Sequence, residues 1–271
     1  MLRVCTAAIF LSCFIISASA QGPSPQGTAA QTGEPAGRKA ASRTKTGVKS
    51  GAAGGRCQIG VIPIAGNLFL VEKFGPITLT DTYERVSVDR WALDELVVSR
   101  VRAAAPGMSV QRIPFTKEEL ANYPRPAFRF RRDETIEKFA KYVARGRNCE
   151  RYVLVHRHGG SQREFGIGIS KHYLGSNAHL FAMMYIRVYD GRTFQLINEA
   201  PALMEEDTFA NRIKYHLGGP SRPIDLAMFP EQAADAVASP VLRDGVREML
   251  TASLDKTLPG MLRPRSREAA R

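Results

Sequence analysis

The sequence predicts a single domain of mixed α/β (α+β) class. It should have a mixed sheet with an early β-α-β crossover, a late antiparallel meander and a C-terminal helix. Three observations predict it. Short apolar runs bounded by Pro and Gly alternate with a helical-period stretch after Cys57. The second half carries successive strand-like runs around Asp190-Gly191, a dipeptide that favours hairpin turns. Finally, Leu242, Val246, Met249, Leu250 and Leu254 recur at helical spacing near the end of the chain.

Taken in order, Ile59, Val61, Ile62 and Ile64 make a first strand, bounded by Pro63 and Gly66. Leu68–Lys73 is a second strand, Phe74-Gly75-Pro76 a turn, and Ile77–Thr80 a return strand. A helix follows with Ser87 or Asp89 as cap, a stripe of Leu93, Leu96, Val97, Val101 and Ala104, and a stop at Pro106-Gly107. Met108–Ile113 is the next strand. Thr116-Lys117-Glu118-Glu119 is a capping box, in which the Thr hydroxyl and the Glu carboxylate each satisfy the other's free amide. Ile136, Phe139, Ala140 and Val143 mark an amphipathic helix capped by Asp133 and stopped by Gly146. Tyr152–Val155 and Phe165–Ser170 are strands, and His179–Tyr189 and Thr193–Asn198 flank the hairpin turn. Both faces of that hairpin carry apolar residues, so the pattern does not say which meets the core. Ser239-Pro240 opens the last helix and Pro259-Gly260 ends it.

The ends of the chain read differently. Arg3, the apolar run Val4–Ser17 and the small residues Ala18-Ser19-Ala20 form a secretory leader, cleaved between Ala20 and Gln21. The run is short of the roughly 20 apolar residues that a membrane-spanning helix needs. Residues 21–56 lack aromatic side chains and nearly all large aliphatic ones, so they should form a disordered basic linker. The domain is expected over 57–258, with a basic disordered tail over 259–271. The formal charge of +12 is concentrated in these flanks. Linker and tail can touch anionic surfaces; the core carries interspersed charges of both signs. The Ala- and Arg-rich, Lys-poor composition suits a high-GC bacterium, which makes the periplasm the expected location.

The succession "IGVIPI", helix, "MSVQRI", helix, "RYVLV" and a meander ending "YIRVYDGRTF" resembles the periplasmic α/β module of the TolB N-terminal domain. The lipoprotein activators of penicillin-binding proteins carry a similar module. The hairpin followed by "VDRWALDELVV" also resembles exported proteobacterial proteins of uncharacterised function. The resemblance implies a non-enzymatic envelope protein, with the first and third main strands as neighbours. This chain departs from it in its additional hairpin and in lacking a lipobox.

Few residues carry chemical promise. Cys57 and Cys149 are the even pair left after the leader, and each precedes a short apolar strand. In an oxidising compartment they are a disulfide candidate. A bridge closing about 90 residues is worth roughly 4–5 kcal/mol in the chain-entropy model. His156 and His158 are a metal candidate, because residues i and i+2 of a strand point the same way. His172 and His179 could add ligands, and Glu164 is the close carboxylate. The plain alternative is two solvent-facing imidazoles at a strand end. "YPRPAFRFRRDE" interleaves aromatic residues with arginines, which suits an extended segment laid on the core better than a nucleic-acid surface in an exported protein. Glu205-Glu206-Asp207 reads as a solvated loop. No cofactor motif is found.

The expected function is therefore an exported, non-catalytic envelope protein that binds a protein or a cell-wall polymer, with no nucleic-acid partner. The competing expectation is a periplasmic metal-dependent hydrolase using His156 and His158, with Asn67 nearby at the strand ends.

Overall fold

The computed structural model describes residues 56–76, 81–122, 132–157, 166–205, 208–210 and 220–263. The expected leader with Ala20 and Gln21, most of the basic linker, Ile77–Thr80, most of the Arg/Phe segment, His158, Glu164, Glu206, Asp207 and the end of the tail lie outside them.

The elements run β1 (Ile59–Ile64), β2 (Leu68–Phe74), β3 (Thr82–Ser87), α1 (Leu93–Ala104), β4 (Val110–Arg112), α2 (Lys117–Asn122), α3 (Arg132–Ala144), β5 (Arg151–Arg157), β6 (Ile167–His172), β7 (Asn177–Ala182), β8 (Met184–Asp190), β9 (Leu196–Pro201), β10 (Ser221–Asp225), α4 (Asp235–Ala238) and α5 (Pro240–Leu262). The class is α+β, as the sequence predicts. The strands, however, form two five-stranded sheets. One has the order β4-β1-β5-β8-β9, the other β10-β7-β6-β2-β3. In the first, β1 is parallel to both β4 and β5, and α1 lies on the crossover from β1 to β4, after the β2–β3 excursion into the second sheet. The antiparallel meander is β5-β8-β9.

Why there are two sheets is visible at Met183. The single strand expected over His179–Tyr189 is β7 and β8, and they belong to different sheets. Met183 is fully buried at the crossing. The two apolar faces of this segment thus answer to two sheets, which is why period-2 reasoning could not assign one face to the core.

The larger core lies between these layers. Ile59, Val61, Val153, Val155, Ile186 and Val188 from the first sheet meet Phe69, Val71, Ile167, Ile169 and Leu180 from the second. Val97, Val101, Val246, Leu250 and Leu254 of α1 and α5 complete it. The other face of the first sheet packs Ile62, Ile64, Tyr152 and Leu154 against Phe139 and Ala140 of α3. Cover on both faces explains why every residue of β1 is buried and why a parallel strand reads as continuous apolar sequence.

Local chemistry accounts for several boundaries. The capping box forms: Thr116 N–H donates to Glu119 at 2.6 Å and Glu119 N–H donates to Thr116 Oγ1 at 3.0 Å. Ser239 Oγ accepts from Leu242 N–H at 3.3 Å, with Pro240 in the first turn of α5. Gly146 takes φ +78 just past α3.

Some boundaries differ from expectation. The strand described as pairing with β2 is Thr82–Ser87, while the expected return strand Ile77–Thr80 lies outside the described residues. The residues of Thr82–Ser87 are mostly exposed, so this strand lacks the apolar alternation that would reveal it. Neither Ser87 nor Asp89 caps α1. Asp89–Trp91 form a 3-10 turn and Ala92 joins it to the helix at φ 50. Pro259-Gly260 does not end α5, which continues to Leu262. Met261 and Leu262 are buried in the main core, and that packing carries the last turn past a residue with no N–H to give.

Candidate functional site

The first sheet's α3-facing side changes character along its length, and strand register dictates how. Tyr152 pairs with Tyr189, Leu154 with Arg187, and His156 with Tyr185. Arg187 in turn pairs with Glu199 of β9. Residues two apart on a strand share a face. One row therefore runs from two tyrosines near the amino end of β5 to Arg187, Glu199, Tyr185 and His156 near its carboxyl end.

The amino end is apolar and closed. Cys57 and Cys149 precede the parallel neighbours β1 and β5, and their sulfurs are 2.01 Å apart across 92 residues of sequence. Both are buried. Gly60 leaves room for this corner: a Cβ there would come within 2.7 Å of the Tyr152 ring and 3.0 Å of the Cys149 sulfur. The Tyr152 hydroxyl donates to the Arg147 carbonyl. Phe194 stacks on Tyr189 with ring centres 4.6 Å apart. Burial pushes the Tyr189 hydroxyl up to about 12, against the pull of Arg187. At neutral pH this phenol keeps its proton.

The carboxyl end holds charge. Arg187 is buried, its Nε is 3.2 Å from Glu199 Oε2, and its guanidinium stands 5.6 Å from the Tyr185 ring centre. Pairing with a carboxylate and contact with a ring face are what a largely desolvated guanidinium needs. The His156 ring lies 5.9 Å from that of Tyr185. His156 Nδ1 is 2.9 Å from the Arg157 carbonyl. A carbonyl only accepts, so in this contact Nδ1 is the donor. His156 is thus a buried member of β5, not a solvent-facing imidazole at a strand end.

A second charged group sits at the opposite side of the same sheet end. Asp94, in the first turn of α1, stands 3.6 Å from Arg112 of β4, and Arg112 also donates to Glu95. Burial raises the Asp94 carboxyl above its ordinary range, opposed first by Arg112 and then by the Ala65 and Gly66 amides. The Arg112 guanidinium helps to hold Glu95 below its ordinary range, against the effect of burial.

Sequence reasoning named His156 and missed Tyr185, Arg187, Tyr189 and Glu199. The signal was present in "YIRVYD": an arginine set between Ile186 and Val188 in an apolar strand needs a buried partner. The expected second ligand, His158, lies outside the described residues. Among the described residues no three His, Cys, Asp or Glu side chains gather as a metal-binding group. Asn67 follows β1 and its carbonyl accepts from Val88 N–H at 2.6 Å, which ties it to the β3–α1 connection. His172 stacks on Phe74 at 4.5 Å in the second sheet, and His179 lies on β7. Sheet position therefore assigns both to a different sheet from His156. What the row offers chemically is a set of hydrogen-bond donors around one ion pair. The bonded cysteines supply no thiolate.

Fold and site together define an α+β domain of two mixed sheets with a polar row on one flank. No family model and no curated protein matches the chain. Among solved structures, the PelC dodecamer from Paraburkholderia phytofirmans aligns over 73% of this chain and 85% of its own, at 10% identity and a TM-score of 0.27. A PelC variant dodecamer in another crystal form aligns over 74% and 88%, at 9% identity and a TM-score of 0.30. The hypothetical protein CT253 from Chlamydia trachomatis aligns over 75% and 99%, at 10% identity and a TM-score of 0.31. The TolB resemblance finds no support in these comparisons, and likenesses this distant carry nothing about function.

Proposed function

We propose that the chain is an exported, non-catalytic module of the bacterial envelope that binds a protein or a cell-wall polymer. The observation that carries export is the Cys57–Cys149 pair at bonding distance. Disulfides persist in oxidising compartments and are rare where thiols are kept reduced. The leader motif Arg3, Val4–Ser17, Ala18–Ala20 supports the same destination. The polar row is largely buried and internally paired, so it serves the fold and the partner surface lies elsewhere. Its guanidinium is already paired to Glu199, and its tyrosine at the closed end keeps its proton. The mostly exposed β3, at one edge of the second sheet, is a surface to which an extended partner can add a strand.

Cell fractionation with mass spectrometry tests the export half. Recovery from the periplasm beginning at Gln21, with Cys57 and Cys149 resistant to alkylation until reduced, is the expected result. Full-length chain in the cytosol with two free thiols would overturn it. Co-sedimentation with purified sacculi and cross-linking in the intact envelope test the binding half. Recovery alone, uncross-linked and in the supernatant, would overturn that half.

A further inference from the structure

One end of the second sheet carries large apolar side chains in solvent. The turn between β6 and β7 presents Tyr173 at 70% and Leu174 at 91% exposure. The 3-10 turn Leu226–Met228 presents Leu226 at 39% and Met228 at 44%. The two turns are neighbours in space, because Asp225, just before Leu226, pairs with Asn177, just after the first turn. An apolar cluster at protruding turns, away from any core, marks an interaction surface.

The cluster is held rigidly. Tyr173 N–H donates to the Phe74 carbonyl at 2.9 Å and Gly175 N–H to the His172 carbonyl at 3.0 Å. His172 stacks on Phe74. Asp225 accepts from Ala227 N–H at 2.9 Å, which fixes the second turn. Just behind the tips, Lys73 and Lys171 face one another in register on adjacent parallel strands. Their ammonium groups stand 5.9 and 4.4 Å from the buried Phe229 ring. Two like charges side by side oppose each other unless an anion lies near. Two carboxylates at this end, Asp81 and Asp225, each accept from a backbone amide, Gly75 and Ala227 respectively.

We infer that this end of the second sheet docks on a lipid bilayer bearing anionic headgroups. Tyr173, Leu174, Leu226 and Met228 would enter the interfacial layer, while Lys73 and Lys171 lie at headgroup level. The layering is that of a peripheral membrane protein: apolar tips outermost, one aromatic with a polar end among them, and cations one position behind. The tips protrude from two separate turns. A soft interface accepts that shape, whereas a protein partner of ordinary size needs a continuous matching surface. The inference goes beyond the proposed function and does not depend on export, since it rests on the described core alone.

Co-sedimentation of the whole protein, as purified from its expressing cell, tests this. The vesicles are phosphatidylcholine alone and phosphatidylcholine with phosphatidylglycerol. The comparison is among wild type, Leu174→Asp and the pair Lys73→Gln, Lys171→Gln. Any contribution from the flanking segments is common to all three. The wild type should bind the anionic vesicles. L174D should weaken that binding about tenfold, the order expected for withdrawing one apolar side chain from an apolar phase. The lysine pair should weaken it on anionic vesicles and leave neutral vesicles unaffected. Circular dichroism checks that each variant is folded; should the lysine pair fail to fold, Lys73→Gln alone carries the charge test. No wild-type binding, equal binding by L174D, or anionic-vesicle binding by the lysine pair equal to wild type would overturn the inference. A dimer seen by ultracentrifugation and abolished by L174D, without vesicle binding, would overturn it in favour of a protein interface.

Discussion

Gly191 lies against the Cys149 carbonyl so closely that a Cβ would overlap it, and its amide donates to the Glu150 carbonyl at 2.9 Å. The β8–β9 hairpin is thereby seated on the chain segment that carries the disulfide. The clash partners are backbone atoms, so neither a rotamer change nor a side-chain shift relieves them. Gly191→Ala should cost at least about 1–3 kcal/mol, the range for overpacking a tight contact. Chemical denaturation of the two proteins measures it, and an unchanged midpoint would mean that the hairpin is free to lift away.

The bridge itself gives a larger expected effect. It spans 92 residues of sequence and joins the starts of β1 and β5. Closing a loop of that length restricts the unfolded chain by about 4–5 kcal/mol in the chain-entropy model. Cys57→Ala with Cys149→Ala should lower unfolding stability by that order, and reductant should then leave the double variant unchanged. Because both sulfurs are buried, reduction of the native protein should be slow until denaturant opens the fold.

Much of this architecture was legible in the sequence where one physical cause acts alone. The capping box at Thr116, the Ser239-Pro240 helix start and the Gly146 stop are local, and each reads correctly from a few residues. The β1 run reads as a buried strand because it is apolar on both faces. What failed needed tertiary knowledge. The β7–β8 break depends on which sheet each half joins, and β3 is recruited by pairing with β2 despite an exposed pattern. The last turn of α5 outlives Pro259 only because Met261 and Leu262 reach the core. The same holds for the site: the row of Tyr189, Arg187 and His156 is a product of register with β5 and β9, which no local pattern fixes.

Asp94 sets a pH dependence whose sign follows from burial. Its folded-state value lies above the ordinary 3.8, so between those two pH values the folded chain holds more protons than the unfolded one. Stability contributed by this group is therefore present at pH below 3.8 and lost as pH rises through the raised value. Asp94→Asn removes the cost of the buried charge at nearly the same side-chain size. The variant should be more stable than wild type at neutral pH, with the advantage vanishing at pH below 3.8. Denaturation midpoints of both proteins across pH provide the measurement. A constant difference at all pH would show that the carboxylate's charge is fully compensated by Arg112.

Ala92 offers a test of backbone strain with little change in packing. It joins the Asp89–Trp91 turn to α1 at φ 50, in the left-handed region, and no side chain caps the helix there. A residue with a Cβ pays about 1–2 kcal/mol in that region, and alanine is also among the poorer helix N-caps. Glycine has no such steric term, though it loses more chain entropy on folding. Ala92→Gly should therefore raise stability by several tenths to about 1 kcal/mol, unlike most glycine substitutions. Thermal and chemical unfolding, followed through the buried Trp91, report on this junction directly. A decrease of the same size would place Ala92 in an ordinary right-handed conformation and remove the strain from the account.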